Sequence, residues 1–312
     1  MPTWDHVLRE IAENSALLRS QSPLDIVRRN YLKKLSEYTD RNVIAYYSGW
    51  LQRPSRSPVL AIGDDDMNAF MMCVHGLKPE KGLDLIVHTP GGSIPAVEAL
   101  VTYLRAKFGT NIRAFVPQLA MSAGTMMACS ASEIWMGKQS SLGPIDPQLN
   151  NIPCRGVLAE FEQAVAEITQ DKNRLAVWQS IIGQYHPTFV GECKRLVDWS
   201  EAMVSGWLET GMFAPAGSPT AKQKSAAKNK ASDVAKQLCD HGAQRNHSRH
   251  LSIDEVVETG LVIKRLETDQ KLQDLVLTVH HAFCHTFAQA PALKIVENHI
   301  GAALINSEQV RQ

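Results

Sequence analysis

Residues 83–136 read LDLIVHTPGGSIPAVEALVTYLRAKFGTNIRAFVPQLAMSAGTMMACSASEIWM, and their rhythm decides the fold class. Leu83–His88 is a short apolar run of strand length, which predicts a buried strand. Thr89-Pro90-Gly91-Gly92-Ser93 is a turn, and Ala96–Lys107 has the spacing of a helix. Asn111–Val116 predicts a second strand and Pro117–Met121 a connection. Ser122–Ser132 predicts a helix of small residues, followed by a short strand at Ile134–Met136. Strand and helix alternating in this way imply an α/β domain with a parallel sheet and right-handed crossovers.

Upstream, residues 3–20 and 23–38 predict amphipathic helices, the second opened by Pro23 after Ser22 as N-cap. Asn42–Ser48 predicts a strand, and residues 49–63, with Pro54 and Pro58, read as largely loop. Asp64, Asp65 and Asp66 open a helix over Met67–His75, where first-turn acids suit the helix dipole. Downstream the chain turns helical. Leu158–Gly183 and Pro187–Glu209 read as long helices, residues 214–220 as a linker, and Ala221–Leu238 as a basic helix. Ser252–Glu258, a short strand at Leu261–Lys264 and a helix over Asp269–Ala288 complete the pattern. The domain reading is a helical segment over 1–40, an α/β domain over 41–213, and a C-terminal helical region over 214–312.

The 312 residues carry 32 basic and 32 acidic side chains, a balance that gives no footing for bulk nucleic-acid binding. No apolar run reaches membrane-spanning length. The charged N-terminus lacks the apolar centre of a signal peptide, so the cytoplasm is the expected compartment. Six scattered cysteines form no C-x-x-C pair and read as reduced, buried thiols.

Two loops could carry chemistry. Adjacent glycines at 91 and 92 allow a sharp turn and close approach of a ligand, with N–H groups that can face a developing anion. By itself this is also what an ordinary turn after a strand looks like. Ser122 lies 30 residues after Gly92 at the next strand-to-helix junction. Alone, it reads as an N-cap. A parallel sheet, however, places both loops at one edge, where α/β folds build their sites.

Together, P-G-G-S, then S-A-G at a helix start, then S-L-G-P-I-D-P-Q-L resemble the Clp-protease and signal-peptide-peptidase superfamily, and within it the serine dehydrogenase proteinase family. The resemblance is strong over residues 83–150, fair through about 210, and includes Ile253–Val262. It implies a ClpP/crotonase-like β-α superhelix and a serine peptidase that needs no cofactor and no metal. It also implies a peptide or protein substrate, a homo-oligomer, and possibly a separate ATPase, since the chain has no P-loop. Ser122 would be the nucleophile, with Gly92 and Ala123 N–H groups as the oxyanion hole. Gly91, Ser93, Ile94 and Pro144 would contact substrate, Ser93 and Ile94 beginning a strip that pairs with an extended chain.

The base is less defined. About 25 residues past Ser122, where the Clp protease carries a histidine, Ser141–Pro147 has none. Lys172, 50 residues past Ser122, matches the lysine of signal peptide peptidases, giving a Ser-Lys dyad. Lys138, His186 and His88 are alternatives. The rival functions are a crotonase-like acyl-CoA enzyme, a catalytically silent binding scaffold, and an esterase. His281 and His285 have metal-pair spacing but no persuasive third ligand. His241, His247 and His250 read as surface histidines, and Lys222, Lys224, Lys228, Lys230 and Lys236 as a solvated face. Trp178, Trp199 and Trp207 read as packing or subunit contacts.

Overall fold

The computed structural model describes residues 4–17, 22–53, 57–239 and 249–308. Five strands form a parallel array: β1 (Asn42–Ser48), β2 (Leu83–His88), β3 (Ile112–Val116), β5 (Glu133–Met136) and β9 (Ile263–Arg265). Two antiparallel strands, β10 (Ala292–Asn298) and β11 (Ala303–Ser307), extend the sheet beyond β1, giving the order β11-β10-β1-β2-β3-β5-β9. The fold is therefore mixed α/β around a mostly parallel sheet.

Helices cover both faces, which is why β1 and β2 are buried at every position and read as nearly continuous apolar runs. On one face lie α1 (Trp4–Leu17), α2 (Pro23–Thr39) and α11 (Gln270–Gln289), packed on Val43, Ala45 and Tyr47 of β1. Against the other, Ile44 and Tyr46 of the same strand meet α3 (Asp66–Val74) and its neighbours. That face also holds α4 (Ile94–Phe108), α5 (Ala123–Cys129), α9 (Ala221–Cys239) and α10 (Ile253–Glu258). Alternation along one strand thus feeds two separate cores.

A short second ladder crosses above α5. Thr89 bridges Ala120, β4 (Leu119–Ala120) pairs in parallel with β6 (Ser141–Leu142), and Leu142 bridges Leu251. A hairpin of β7 (Gln148–Leu149) and β8 (Ile152–Pro153) follows. Its two loop residues, Asn150 and Asn151, both have positive φ (54° and 63°), the backbone of a two-residue type I′ turn that asparagine tolerates.

From this hairpin an arm departs. Helix α6 (Cys154–Gln170) leads to a single 3₁₀ turn at Lys172–Arg174, α7 (Leu175–Ile182) folds back along α6, with Trp178 donating to Glu167, and α8 (Phe189–Thr210) follows. Near its base the arm has a small core of Cys154, Val157, Cys193 and Val197. Tyr185 donates to Glu160 at 2.6 Å, and Arg155 pairs with Glu201. The second half of α8 then joins the main core through Met203, Val204 and Leu208.

Two differences from the sequence reading are instructive. The single long helix over 158–183 is broken. The Asp171 side chain accepts from Asn173 N–H at 2.9 Å, starting a new turn where an unbroken helix was expected. The C-terminal region holds two strands that were not anticipated. β10 is buried throughout yet contains Lys294 and Glu297, and two ionisable residues in seven do not read as a buried strand. Both charges are partnered. Lys294 Nζ lies 2.7 and 2.9 Å from the two Asp66 oxygens, and Glu297 accepts from Arg28 and Arg29. Asp66 also accepts from Tyr46 and Gly63, so its role is a buried counter-ion more than a dipole partner.

All six cysteines are buried and unpaired. Among the described residues, no helix is long and apolar enough to cross a membrane.

Candidate active site

Both loops singled out in the sequence meet at the C-terminal edge of the parallel strands. After β2, Ile62 pairs with Gly92 in parallel: Ile62 N–H donates to Gly91 C=O at 2.8 Å, and Ser93 N–H to Ile62 C=O at 2.9 Å. In such a bridge the facing residue's own peptide groups point the other way, so Gly92 N–H and C=O turn from Ile62 toward open space. A Cβ on Gly92 would lie 2.3 Å from Ile62 N, and its φ of +155° suits glycine. Gly91 (φ +102°) brings the loop against the second one, because a Cβ there would meet Met121 O at 2.7 Å and Ser122 Cβ at 2.9 Å.

After β3 the chain forms β4 and then turns abruptly at Ser122 into α5. Met121 N–H is tied to Thr89 C=O at 3.0 Å and Gly124 N–H to Met121 C=O at 2.7 Å. Thr125 Oγ1 lies 2.8 Å from both the Ala120 and Gly143 carbonyls and accepts from Gly143 N–H at 3.0 Å. These bonds leave Ser122 at φ 51°, ψ −113°, a backbone state that costs a non-glycine residue about 1–3 kcal/mol. Its side chain makes no capping bond to α5, so the N-cap role that residue type alone suggested is not what holds it there. Ala123 N–H sits in the first turn of α5, where helical donors have no partner within the helix. Neither Ala123 N–H nor Gly92 N–H has an acceptor among the described residues.

Ser122 lines a groove of about 560 Å³. Gly91, Gly92, Ser93, Ile94, Met126 and Asp146 line it too, and Gln148–Asn151 and Leu196 form the far wall. Asp146 is buried, and its carboxylate is close enough to Cys154 and Cys239 to add to the burial that pushes both thiols up to about 12.

The expected site residues divide into two groups. Ser122, Gly91, Gly92, Ser93 and Ile94 share the groove, with Ala123 beside them. Ser93 caps α4 by accepting from Ala96 N–H, its own N–H is bound to Ile62, and its C=O accepts from Val97. Ile94 is helical. These two therefore offer side-chain lining and no free strand edge. Pro144 is buried behind the groove and does not line it.

Lys172 stands elsewhere. It is exposed on the 3₁₀ turn at the outer end of α6. Cys154, at the inner end, donates to the C=O of Pro147 on the groove rim, and α6 carries the chain about 25 Å further. Lys138 and His186 are also exposed and outside the groove. His88 is buried beneath the sheet end, where Leu119 N–H donates to its Nδ1 and its ring packs on Trp50 and His280. Burial holds His88 well below the ordinary histidine range.

Other marked residues have structural settings. His285 stacks on Trp4, with Nε2 3.2 Å from the Trp4 carbonyl, and His281 meets the same indole edge-on. Trp178 donates to Glu167 and Trp199 to Glu98, while Trp207 packs on the main core. The α9 lysines are exposed, Lys230 lying over Phe213. His250 is exposed, and His241 and His247 lie outside the described residues.

Sequence reasoning missed Ile62, Thr125 and Asp146. Thr125 had a signal: it is a polar side chain among small apolar ones, three residues after the serine. Ile62 had none, because its role is a backbone pairing.

The two M. jannaschii relatives that match are both described as uncharacterized. Protein MJ0137 of Methanocaldococcus jannaschii is 34% identical over 108 residues, and protein MJ1495 of the same organism 30% identical over 108 residues. Each match covers about a third of this chain (35% and 34%) and of the relative (37% and 36%). No solved structure matches significantly. The family described as "ClpP-like SDH-type serine proteinase" matches residues 22–190, more than half of the 312, and that stretch contains both loops, Ser122 and all of the groove's lining except Leu196. The chain belongs to the ClpP-like SDH-type serine proteinases.

Proposed function

We propose that the protein is a serine peptidase that cleaves peptide bonds with Ser122 as nucleophile and Lys172 as general base, in a spiral ClpP-like fold that works as a homo-oligomer. One observation carries the reading. Ser122 is held in a strained backbone state, makes no capping bond, and sits beside two N–H groups that have no acceptor among the described residues. Strain of this kind persists only where surrounding structure over-determines it, and it concentrates at reactive residues.

The chemistry runs in two halves. The Lys172 amine takes the Ser122 hydroxyl proton as Oγ bonds to the peptide carbonyl carbon. The carbonyl oxygen becomes an oxyanion between Gly92 and Ala123 N–H, each such donor contributing about 2.7–4 kcal/mol in the transition state. The lysine proton then passes to the leaving amine as the C–N bond breaks. In the second half, the lysine deprotonates a water, the water attacks the acyl ester, and the C–Oγ bond breaks as the proton returns to Ser122. The substrate chain lies along the Gly91–Gly92 edge, with Ser93 and Ile94 contacting its side chains.

The test is covalent labelling with a fluorophosphonate probe, mapped by mass spectrometry. Labelling at Ser122, reduced at least about 10³-fold in Ser122→Ala, is expected. A folded wild-type protein with no labelled serine, or one labelled elsewhere, overturns the reading.

A further inference from the structure

Two thiols meet where the arm joins the groove. Cys154 is the first residue of α6, and Cys193 lies in the second turn of α8. Both are fully buried, and with Val157 and Val197 they make the small core at the base of the arm. The two sulfurs face each other closely enough to share a hydrogen. That core is thin. The apolar side chains around it, Phe161, Tyr185 and Phe189 among them, are only partly buried, so the sulfurs lie one side chain below the surface.

The pair is also connected to the groove. Cys154 N–H donates to Pro147 C=O at 2.9 Å, and Pro147 lines the groove. Leu196, about one turn beyond Cys193 on the same face of α8, packs on the thiol core and lines the groove as well. Leu149 of β7 does both too. The far wall of the groove is thus held by packing around two sulfurs. The two thiols are chemically unequal. Burial, the hydrogen shared with Cys193 and the nearby Asp146 carboxylate push Cys154 up to about 12. Burial raises Cys193 too, but the shared hydrogen acts on it in the opposite direction. Cys193 is therefore the sulfur that reaches the thiolate first, and the thiolate is the nucleophile.

We infer that Cys154 and Cys193 are a redox pair, which hydrogen peroxide converts to a disulfide that clamps the far wall of the groove. The Cys193 thiolate attacks one peroxide oxygen. The S–O bond forms, the O–O bond breaks, and the departing hydroxide leaves as water with the proton that Cys193 released. The Cys154 sulfur then attacks the sulfenic sulfur. The S–S bond forms, the S–O bond breaks, and the hydroxyl leaves as a second water with the Cys154 proton. The two sulfurs together lose two electrons, and the peroxide gains them. A dithiol reductant reverses the change by thiol–disulfide exchange. The bond closes a ring over residues 154–193, which spans the arm, and a cross-link of that span restricts how the arm opens. Neither the redox chemistry nor the clamp requires Ser122 to be a nucleophile.

The experiment is oxidation of the wild-type chain with hydrogen peroxide, followed by denaturation, alkylation of remaining thiols and peptide mapping without reduction. A Cys154–Cys193 cross-link is expected, with Cys73, Cys129, Cys239 and Cys284 alkylated as thiols. Dithiothreitol should restore the free pair. Hydrogen exchange on the same samples reads the clamp. Exchange over residues 154–197 is expected to slow at least about tenfold in the oxidised protein and to return to its first rate after reduction. Cys193→Ala should lose both the cross-link and the slowing. Cys154→Ala gives the same comparison should that variant fail to fold, and wild type before and after reduction decides the matter without either. Absence of the cross-link, oxidation of Cys193 to the sulfinic acid in its place, or a predominant bond between other cysteines overturns the redox pair. A cross-link that leaves exchange over the arm unchanged, or that slows the whole molecule alike, overturns the clamp.

Discussion

The segment Leu83–Met136 and the arm Cys154–Ile182 carry Ser122 and Lys172, and they hold them on opposite terms. Around Ser122 the backbone is tied at several points: Met121 to Thr89, Gly124 to Met121, Gly143 to Thr125 and Ala120. The strands beneath are buried on both faces. Around Lys172 there is one 3₁₀ turn, one capping carboxylate and solvent. A strained residue needs many restraints to keep it strained. The contrast teaches that precision is built by packing, and that a turn held by one cap and solvent has little of it.

This contrast can be broken by substitutions that should be costly in one region and cheap in the other. Lys294→Met leaves Asp66 as a buried, uncompensated charge and is expected to cost about 3–5 kcal/mol in urea unfolding. Lys172→Met, the same change on the arm, is expected to stay within about 0.5 kcal/mol. Equal costs would mean that the arm is as tightly integrated as the sheet.

Gly92→Ala comes next. Its Cβ would sit 2.3 Å from Ile62 N, and the bridge between the two loops must open to admit it. A loss of about 3 kcal/mol is expected, with fluorophosphonate labelling falling in parallel. Loss of labelling at unchanged stability would sharpen the picture differently, separating donor geometry from loop packing.

Acid should act on the sheet before the arm. Burial holds His88 well below the ordinary 6.5 and His280 down at about 3. Both fold as neutral rings, so their contribution is fully present above about pH 6.5. For His280 it is lost as pH falls through the window toward about 3, at about 1.4 kcal/mol per pH unit, and His88 acts in the same direction. His280→Leu is expected to flatten the acid limb of a stability–pH curve. An unchanged limb would assign acid sensitivity to other groups.

The smallest effect belongs to the arm. Asp171→Ala removes the cap on the 3₁₀ turn and is expected to cost about 1 kcal/mol, felt locally. Hydrogen exchange should quicken over residues 172–182 and leave β1–β3 protected. Quickening in the strands as well would join the two regions into one cooperative unit.

Much of the parallel core was legible because it is local. β1, β2, β3 and β5 announce themselves as apolar runs, and the helices between them by spacing and by Pro, Ser and Gly at their ends. The two site loops were legible for the same reason, since a parallel sheet brings successive loops to one edge. The antiparallel strands β10 and β11 were not legible. Lys294 and Glu297 disguise β10 until Asp66, Arg28 and Arg29, over 200 residues away in sequence, are seen to pair with them. The break at Asp171 was obscured because a capping side chain and a solvated helical one look alike in a row of letters.

By itself, then, the sequence determined the α/β alternation, the meeting of the Gly92 and Ser122 loops, and the candidate nucleophile. These depend on short-range periodicity and on the conformational range of single residues. Tertiary structure alone decided that Ser122 is strained and does no capping, that charged β10 joins the core beside β1, and that Lys172 is exposed and does not line the groove. Each of those is set by which distant groups come to lie within hydrogen-bonding or packing distance, and contacts of that range leave no periodic trace along the chain.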